Sequence, residues 1–330
     1  MAGSWELCIS IQENTFKFAV CRYNKKTNKI EVSKAIQLDA PDEFTSSRES
    51  AGREAIAGFI CKALKNNGIK ENKYNLCISD KGIITRVVKL PNMEFKDLKN
   101  FMKLSVQQYF PIKPEEYLFD YKIQEVNEKD EKAYYNVLLV AIPKSTVEYY
   151  AEIFLKCKMK PKIISIYSDV VTNLFVKLVG NDCAVMDMTY NQTEFLMLEG
   201  KSLFINSIIN YAIPKSQESI EDQVYLNNLQ VEELGEDFGY AIETLKNYLN
   251  FFSTRHQGKI LKEVYLIGYG AMLNEAAAFI EENLNVKVKT GNTQFTKKFS
   301  VNLMPAKMKP EFHPERFFGC FGLLMGGMDK

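Results

Sequence analysis

No stretch of the 330-residue chain approaches the ~18 consecutive apolar residues that a membrane-spanning helix needs, and runs such as Val137–Ile142 are strand-sized. Strong charge of one sign is also missing. A net charge of +1 gives a nucleic-acid partner no global electrostatic support. The seven cysteines (Cys8, Cys21, Cys61, Cys77, Cys157, Cys183 and Cys320) include no CxxC pair, and the count is odd. Most lie in apolar runs, so the expectation is buried free thiols in a reducing cytoplasm rather than a disulfide framework or zinc site. Histidine is scarce. His256 and His313 lie far apart, without a Cys or Asp at ligand spacing, and both read as surface residues. No His or Cys constellation is available for nucleophilic or metal-site chemistry. The first residues lack the basic-then-apolar layout of a secretory signal.

What is present is the composition of a globular protein, with 46% hydrophobic and 25% charged residues. The length favours two domains over one core. Leu7–Ile11, Phe16–Tyr23 and Ile30–Leu38 read as three short strands with polar turns between them. The first turn, Gln12-Glu13-Asn14, contains no glycine and carries a carboxylate. Ser50–Asn66 then places Ile56, Phe59, Ile60, Ala63 and Leu64 at helical spacing, and Tyr74–Ser79 returns as a buried strand. The same grammar recurs near residue 182. Ala184–Met188, Thr193–Leu198 and Ser202–Ile208 read as strands, followed by a helix over Phe238–His256. A strand at Ile260–Ile267, a helix at Met272–Leu284 and an edge strand at Val286–Val288 complete this half. A βββαβ unit repeated at about half the chain length predicts two related α/β domains around a cleft.

A different module lies between the halves. Gly82–Leu90 reads as a strand, Phe95–Phe110 as a helix, and Leu118–Val126 with Tyr134–Ile142 as a hairpin. Ser145 to Glu148 has the pattern of a capping box that opens the next helix, which runs to about Lys158. Pro161–Ile166 and a helix to Val179 lead into the second half. Ser216–Gly239 holds seven acids and no Lys or Arg, and reads as a solvated helical face. Val286–Arg316 holds seven basic residues against two acids, and reads as a loop-rich surface.

The middle module carries a string of motifs in order: Leu90-Pro91-Asn92-Met93, Gln107-Gln108-Tyr109-Phe110-Pro111, Phe119-Asp120-Tyr121, Val137 to Lys144, and Lys160-Pro161. This string resembles that of the PilM family of type IV pilus assembly proteins, actin-like relatives of FtsA. The resemblance extends over nearly the whole chain, through Ala184–Thr193 and Val264–Ala271. It implies an α/β actin-like ATPase fold of two RNase H-like domains with a small α+β insert in the first. The implied limits are 1–81 for the first domain, 82–160 for the insert and 161–180 for the return. The second domain would span 181–310, with a helical subdomain at about 211–258. Residues 311–330 would form a terminal helix on the first domain. The implied role is a cytoplasmic scaffold, peripheral to the inner face of the cell membrane, that binds a short "INLLP"-like N-terminal peptide of the membrane protein PilN. Pilus assembly ATPases and self-association are further partners the resemblance allows.

Nucleotide binding in this fold uses two hairpin turns whose glycines let backbone N–H groups approach the phosphates, with aspartates holding Mg²⁺ through water. The first motif of the family resembles "DIGSSxxK", and here Ser10 and Gln12 replace its Asp and Gly while Lys17 remains. Glu13 adds a carboxylate where phosphate would sit, and two like unit charges at ~4 Å repel by about 4 kcal/mol at an effective dielectric of 20. In the second motif Asp187 and Thr193 remain and Thr189 stands for glycine. Tyr211 to Pro214 replaces a Gly-Gly pair, and Val231–Asp237 has no match to the ribose-side motif. The adenine-side turn keeps Gly268 and Gly270. The expectation is therefore a degenerate cleft that does not hydrolyse ATP and requires neither ATP nor Mg²⁺. An active ATPase and an FtsA-like filament former are the alternatives. The peptide groove is expected on the insert, at Met102, Tyr109 and Phe110, with Leu98, Phe101 and Val106 turned inward. Val301-Asn302-Leu303-Met304-Pro305 resembles the partner's own peptide and reads as an edge strand ended by proline, with a peptide mimic as the sharper alternative.

Overall fold

The computed structural model describes residues 3–24, 26–27, 29–40, 50–91, 93–127, 134–189, 192–210, 230–269, 274–290, 300–303 and 312–326. Strands β1 (Glu6–Gln12), β2 (Thr15–Asn24) and β3 (Lys29–Asp39) form an antiparallel meander. Helix α1 (Ser50–Asn66) returns the chain to β4 (Lys73–Ser79), which lies parallel to β1. The second half repeats this with β9 (Cys183–Met188), β10 (Thr193–Glu199), β11 (Ser202–Ile209) and α5 (Glu236–Arg255). Then follow β12 (Glu263–Gly268), α6 (Asn274–Leu284) and β13 (Lys287–Thr290). The predicted repeat is thus present as two sheets, ordered β14-β3-β2-β1-β4-β8 and β11-β10-β9-β12-β13, where β8 is Lys160–Ile166 and β14 is Ser300–Leu303.

The central strands are covered on both faces, which explains why they read as unbroken apolar runs rather than alternations. On β1, Leu7, Ile9 and Ile11 face a core made with α1 and α3 (Lys144–Lys156). Cys8, on the opposite face, joins a middle core built on α4 (Tyr167–Leu178) and α7 (Phe318–Gly326). Strand β9 divides likewise. Cys183 and Val185 enter that same middle core, while Ala184, Met186 and Met188 face a third core under α5 and α6. The two sheets therefore share one apolar layer. Gly319 of α7 is required there, because a Cβ would come within 2.3 Å of Ser10 Oγ and 2.7 Å of the Tyr167 ring.

The insert is a three-stranded antiparallel sheet in the order β5 (Ile84–Pro91), β7 (Tyr134–Pro143), β6 (Tyr117–Asn127). Helix α2 (Phe95–Ser105) covers one face through Leu98 and Met102, and a 3-10 turn at Val106–Tyr109 takes the place of the expected last helical turn. On the opposite face Leu138 reaches the middle core, and Lys122 bonds Asp169 and Asn173 of α4, each at 2.8 Å.

Several expectations are corrected. The insert ends with β7 rather than at residue 160, because Tyr149, Tyr150, Ile153 and Phe154 of α3 pack in the first sheet's core. Phe16 and Phe18 of β2 meet Tyr150 and Phe154 edge-on, with centroids 6.3 Å apart in both pairs. Burying an aromatic of this size contributes roughly 1.5–3 kcal/mol, enough to claim the helix for the first domain. Residues 300–303 also join the first sheet, as a parallel edge strand on Lys29–Val32, not the second domain. Met304 and Pro305 lie outside the described residues. The Ser145–Glu148 capping box is not the helix start, since α3 opens at Lys144 after Pro143 with no side-chain cap. The two histidines are half-buried, not surface residues. His256 Nε2 lies 2.9 Å from Glu199 and His313 Nδ1 lies 3.1 Å from Glu315. Finally, Cys61 and Cys157 form a disulfide, while the other five cysteines are buried free thiols. The pair is 96 residues apart, a separation from which sequence spacing gives no signal.

Candidate functional site

The register of β1 against β2 closes the first hairpin at Gln12 and Thr15, and that of β9 against β10 closes the second at Met188 and Thr193. Both hairpins end at the junction of the two sheets, as an actin-like fold requires. Within the first, Gln12 is the bridging residue. Its Nε2 donates to Asp187 Oδ2 at 2.8 Å, and its Oε1 accepts from Lys17 Nζ at 2.8 Å. Tyr167 OH, from α4, donates to the same Asp187 oxygen. Gln12, Lys17 and Asp187 are at most 3% exposed. A glycine at position 12 would leave backbone in that place; the glutamine fills it with an amide that ties the domains together.

A second contact runs beside the first. Ser79, at the end of β4, donates to Glu194 Oε2 at 2.5 Å and accepts from Gln192 Nε2 at 3.0 Å. Across the rim Gln37 Nε2 donates to Tyr269 OH at 2.5 Å, with the Arg316 guanidinium 4.4 Å above the Tyr269 ring. Thr189 and Gln192 bond each other across the second turn, with Thr189 N–H on Gln192 O at 2.9 Å and Gln192 N–H on Thr189 Oγ1 at 3.0 Å. Gly268 has φ +64, and a Cβ there would lie 2.3 Å from Asp187 Oδ1 and 2.5 Å from Met188 O. That close approach is what the glycine allows here.

Burial sets the protonation of this cluster. Glu194 is pushed up to about 8 by desolvation, reinforced by the nearby Asp187 charge and opposed by the Ser79 bond. Desolvation lowers Lys17, against the pull of Asp187. Burial raises the Tyr167 phenol well above its usual range, and Asp187 adds to that. For Glu194 the folded value lies above the unfolded one, so the folded state holds the extra proton between them. Stability should therefore fall as pH rises from about 4.5 to about 8, by on the order of a few kcal/mol. Urea titrations across that window test this, since the Glu194→Gln variant should lose the slope. An unchanged slope would show that Glu194 is ionised throughout.

The site residues named from the sequence fall into three groups. Ser10, Gln12, Lys17, Asp187, Thr189, Thr193 and Gly268 are brought together and buried. Glu13 is not set against the phosphate position. It takes φ +53 at the turn, and its half-exposed carboxylate pairs with Lys81 Nζ at 3.2 Å. Lys81 also bonds Asn210 at the end of β11. Gly270 and Tyr211–Pro214 lie outside the described residues. Sequence reasoning missed Ser79, Tyr167, Gln192 and Glu194. Only Glu194 left a signal, as the lone charge within Thr193–Leu198.

Two of the three expected groove residues are corrected. Met102 is fully buried and Phe110 is 5% exposed, both in the insert's own core, and Tyr109 is half-buried against it. Among the described side chains of α2, the exposed apolar ones are Phe101, at 37%, and Leu104, at 78%. Apolar residues stand on both sides of this helix, so its periodicity alone could not choose the inner one.

As to ligands, the actin-like fold implies Mg²⁺-nucleotide. Lys17 is engaged by Gln12, and one Asp187 oxygen is occupied by Gln12 and Tyr167. Asp187 Oδ1, facing the Gly268 backbone, and Ser10 Oγ are the buried polar atoms of these residues left without a partner. Among the described residues no group of three or more His, Cys, Asp or Glu could hold a metal ion. These residues do not fit a Mg²⁺-triphosphate.

A family model described as type IV pilus assembly protein PilM matches residues 9–226. The chain is similar to a solved structure of a PilM-PilN type IV pilus biogenesis complex, with 16% identity, 99% of each chain covered and a TM-score of 0.75. It is more distantly similar to a Bacteroides thetaiotaomicron protein with an actin-like ATPase fold, with 14% identity, coverage of 88% and 91%, and a TM-score of 0.45. The cytoplasmic domain of EpsL, from the type II secretion system of Vibrio cholerae, matches at 10% identity with 98% and 94% covered and a TM-score of 0.43. No curated protein sequence matches the chain.

Proposed function

Because this chain belongs to the PilM family of type IV pilus assembly proteins, we propose that it is a scaffold of the pilus platform that recognises a partner peptide and does not turn over ATP. The observation that carries this reading is the Lys17–Gln12–Asp187 chain, which occupies with the protein's own side chains the place where an ATPase of this fold holds phosphate and metal. In a working site the lysine would meet phosphate, and the aspartate would meet metal-bound water. Here each is desolvated, and each compensates the other's charge through one amide, with no nucleotide needed to supply it.

The partner in this reading is an apolar N-terminal peptide of a PilN-like membrane protein. The similar solved structure is a PilM-PilN complex. Peptide recognition of this kind draws affinity from main-chain bonds and specificity from side-chain pockets. Phe101 and Leu104 of α2 are exposed apolar positions on the insert, as are Val87 of β5 and Leu118 and Val126 of β6, and the helix pair is the one put to the test. No helix among the described residues is long and apolar enough to cross a membrane.

Calorimetric titration of a PilN-type N-terminal peptide, with and without Mg²⁺-ATP, tests both halves. The peptide should bind equally well in both conditions, ATP alone should give no heat, and Phe101→Ala with Leu104→Ala should weaken binding by about 1–3 kcal/mol. Micromolar ATP binding would overturn the pseudo-ATPase reading. Peptide binding unaffected by the double substitution would move the contact elsewhere on the insert.

A further inference from the structure

The disulfide between Cys61 of α1 and Cys157, just beyond α3, stands at the wall of a hollow of about 360 Å³. The apolar floor is made by Leu64, Ile69 and Met159, all at most 8% exposed. Three lysines stand around it, Lys65, Lys70 and Lys158, against a single carboxylate, Glu71. Lys158 holds φ +60 directly after Cys157, so the chain turns there in a conformation that non-glycine residues seldom adopt. Both half-cystines are half-buried rather than enclosed, and both line the hollow. This is unlike the five free thiols, all buried in sheet or helix.

We propose that this hollow is a redox-modification site at which a small anionic thiol of the glutathione class exchanges with the Cys61–Cys157 disulfide. The lysines draw in the carboxylates of such a thiol and stabilise the thiolates that appear during exchange. The incoming thiolate attacks one cysteine sulfur, forming a mixed disulfide. The other cysteine leaves as a thiolate and takes a proton from water. A second thiolate then attacks the sulfur of the bound small thiol and releases the remaining cysteine. In sum, two small thiols are oxidised to their disulfide and the protein disulfide is reduced to two thiols.

The placement gives the exchange a consequence. Cys61 precedes the insert in the chain and Cys157 follows it, so the bond closes a loop of chain that contains the whole of β5–β7. Reduction opens the disulfide cross-link between α1 and the end of α3, the helix through which the insert rejoins the first domain. This inference does not depend on the pilus reading.

The test is made on the full chain purified without reductant. Intact-mass and peptide mass spectrometry follow its reaction with glutathione and with cysteamine, a cationic thiol, at matched thiolate concentration. The expected result is a glutathionyl adduct on Cys61 or Cys157 as an intermediate. Reaction with glutathione should be about tenfold faster than with cysteamine, a preference that 0.5 M salt should erode. Lys65→Gln with Lys70→Gln, both exposed positions, should reduce the preference without unfolding the protein. Equal rates for the two thiols would overturn the proposal, as would free thiols at Cys61 and Cys157 in the unreduced protein. A preference unchanged in the lysine variant would overturn the role of the hollow.

Discussion

Replacing Asp187 with alanine should destabilise the protein by about 3–5 kcal/mol, the range for breaking a buried charge network by removing one partner. The carboxylate accepts from Gln12 and from Tyr167, and through Gln12 it compensates Lys17. Without it, a lysine only 3% exposed loses its principal counter-charge and a phenol loses its acceptor. Chemical denaturation of the variant should show the loss. Asp187→Asn should recover part of it, because an amide oxygen still accepts from Gln12 or Tyr167. The Lys17→Met, Asp187→Ala pair should recover more, since it removes both desolvated charges at once. If the alanine variant were as stable as the parent, the network would be incidental and the cleft open to other ligands. In an ATPase of this fold the corresponding substitution would act on turnover, so a purely thermodynamic effect separates the two readings.

Reduction of the Cys61–Cys157 bond should lower stability by about 4–5 kcal/mol, the loop-closure entropy returned to the unfolded chain by freeing two residues 96 apart. In thermal unfolding this corresponds to a drop on the order of 10 °C. The effect should appear with dithiothreitol and equally in Cys61→Ser with Cys157→Ser, and the double variant should no longer respond to reductant. Hydrogen exchange should place the loss in α1, α3 and the neighbouring β4 and β8, not in the second sheet, because the bond lies wholly in the first domain's layer. Identical melting with and without reductant would show that the bond does not constrain the unfolded chain.

The legible parts of this molecule are those that depend on neighbouring residues. The β1–β2 and β9–β10 hairpins are local, so the apolar runs and polar turns at Gln12–Asn14 and Thr189–Gln192 place both, and the repeat that follows places two sheets. The motif string of the insert was enough to point to the family. The side-chain chemistry of the junction was not legible in the same way. Gln12 reads in the sequence as the loss of a glycine, whereas in the fold it is a bridge to a residue 175 positions away. Glu13 reads as a charge against phosphate, yet the left-handed turn points it at Lys81. The difference is one of direction, which spacing along a turn does not specify.

The sequence by itself determined the two α/β units, the insert between them, the kinship to pilus assembly proteins and the absence of glycine from the first turn. Those follow from periodicities of two and 3.6 residues and from motif order, which are properties of contiguous chain. Only the tertiary structure decided that α3 and residues 300–303 belong to the first domain. It alone decided that Met102 is core while Phe101 and Leu104 face out, that Cys61 meets Cys157, and that Lys17, Gln12 and Asp187 close on one another. Each of these depends on which surfaces pack together over long separations, and an apolar stripe or a lone polar residue is compatible with several partners until packing selects one.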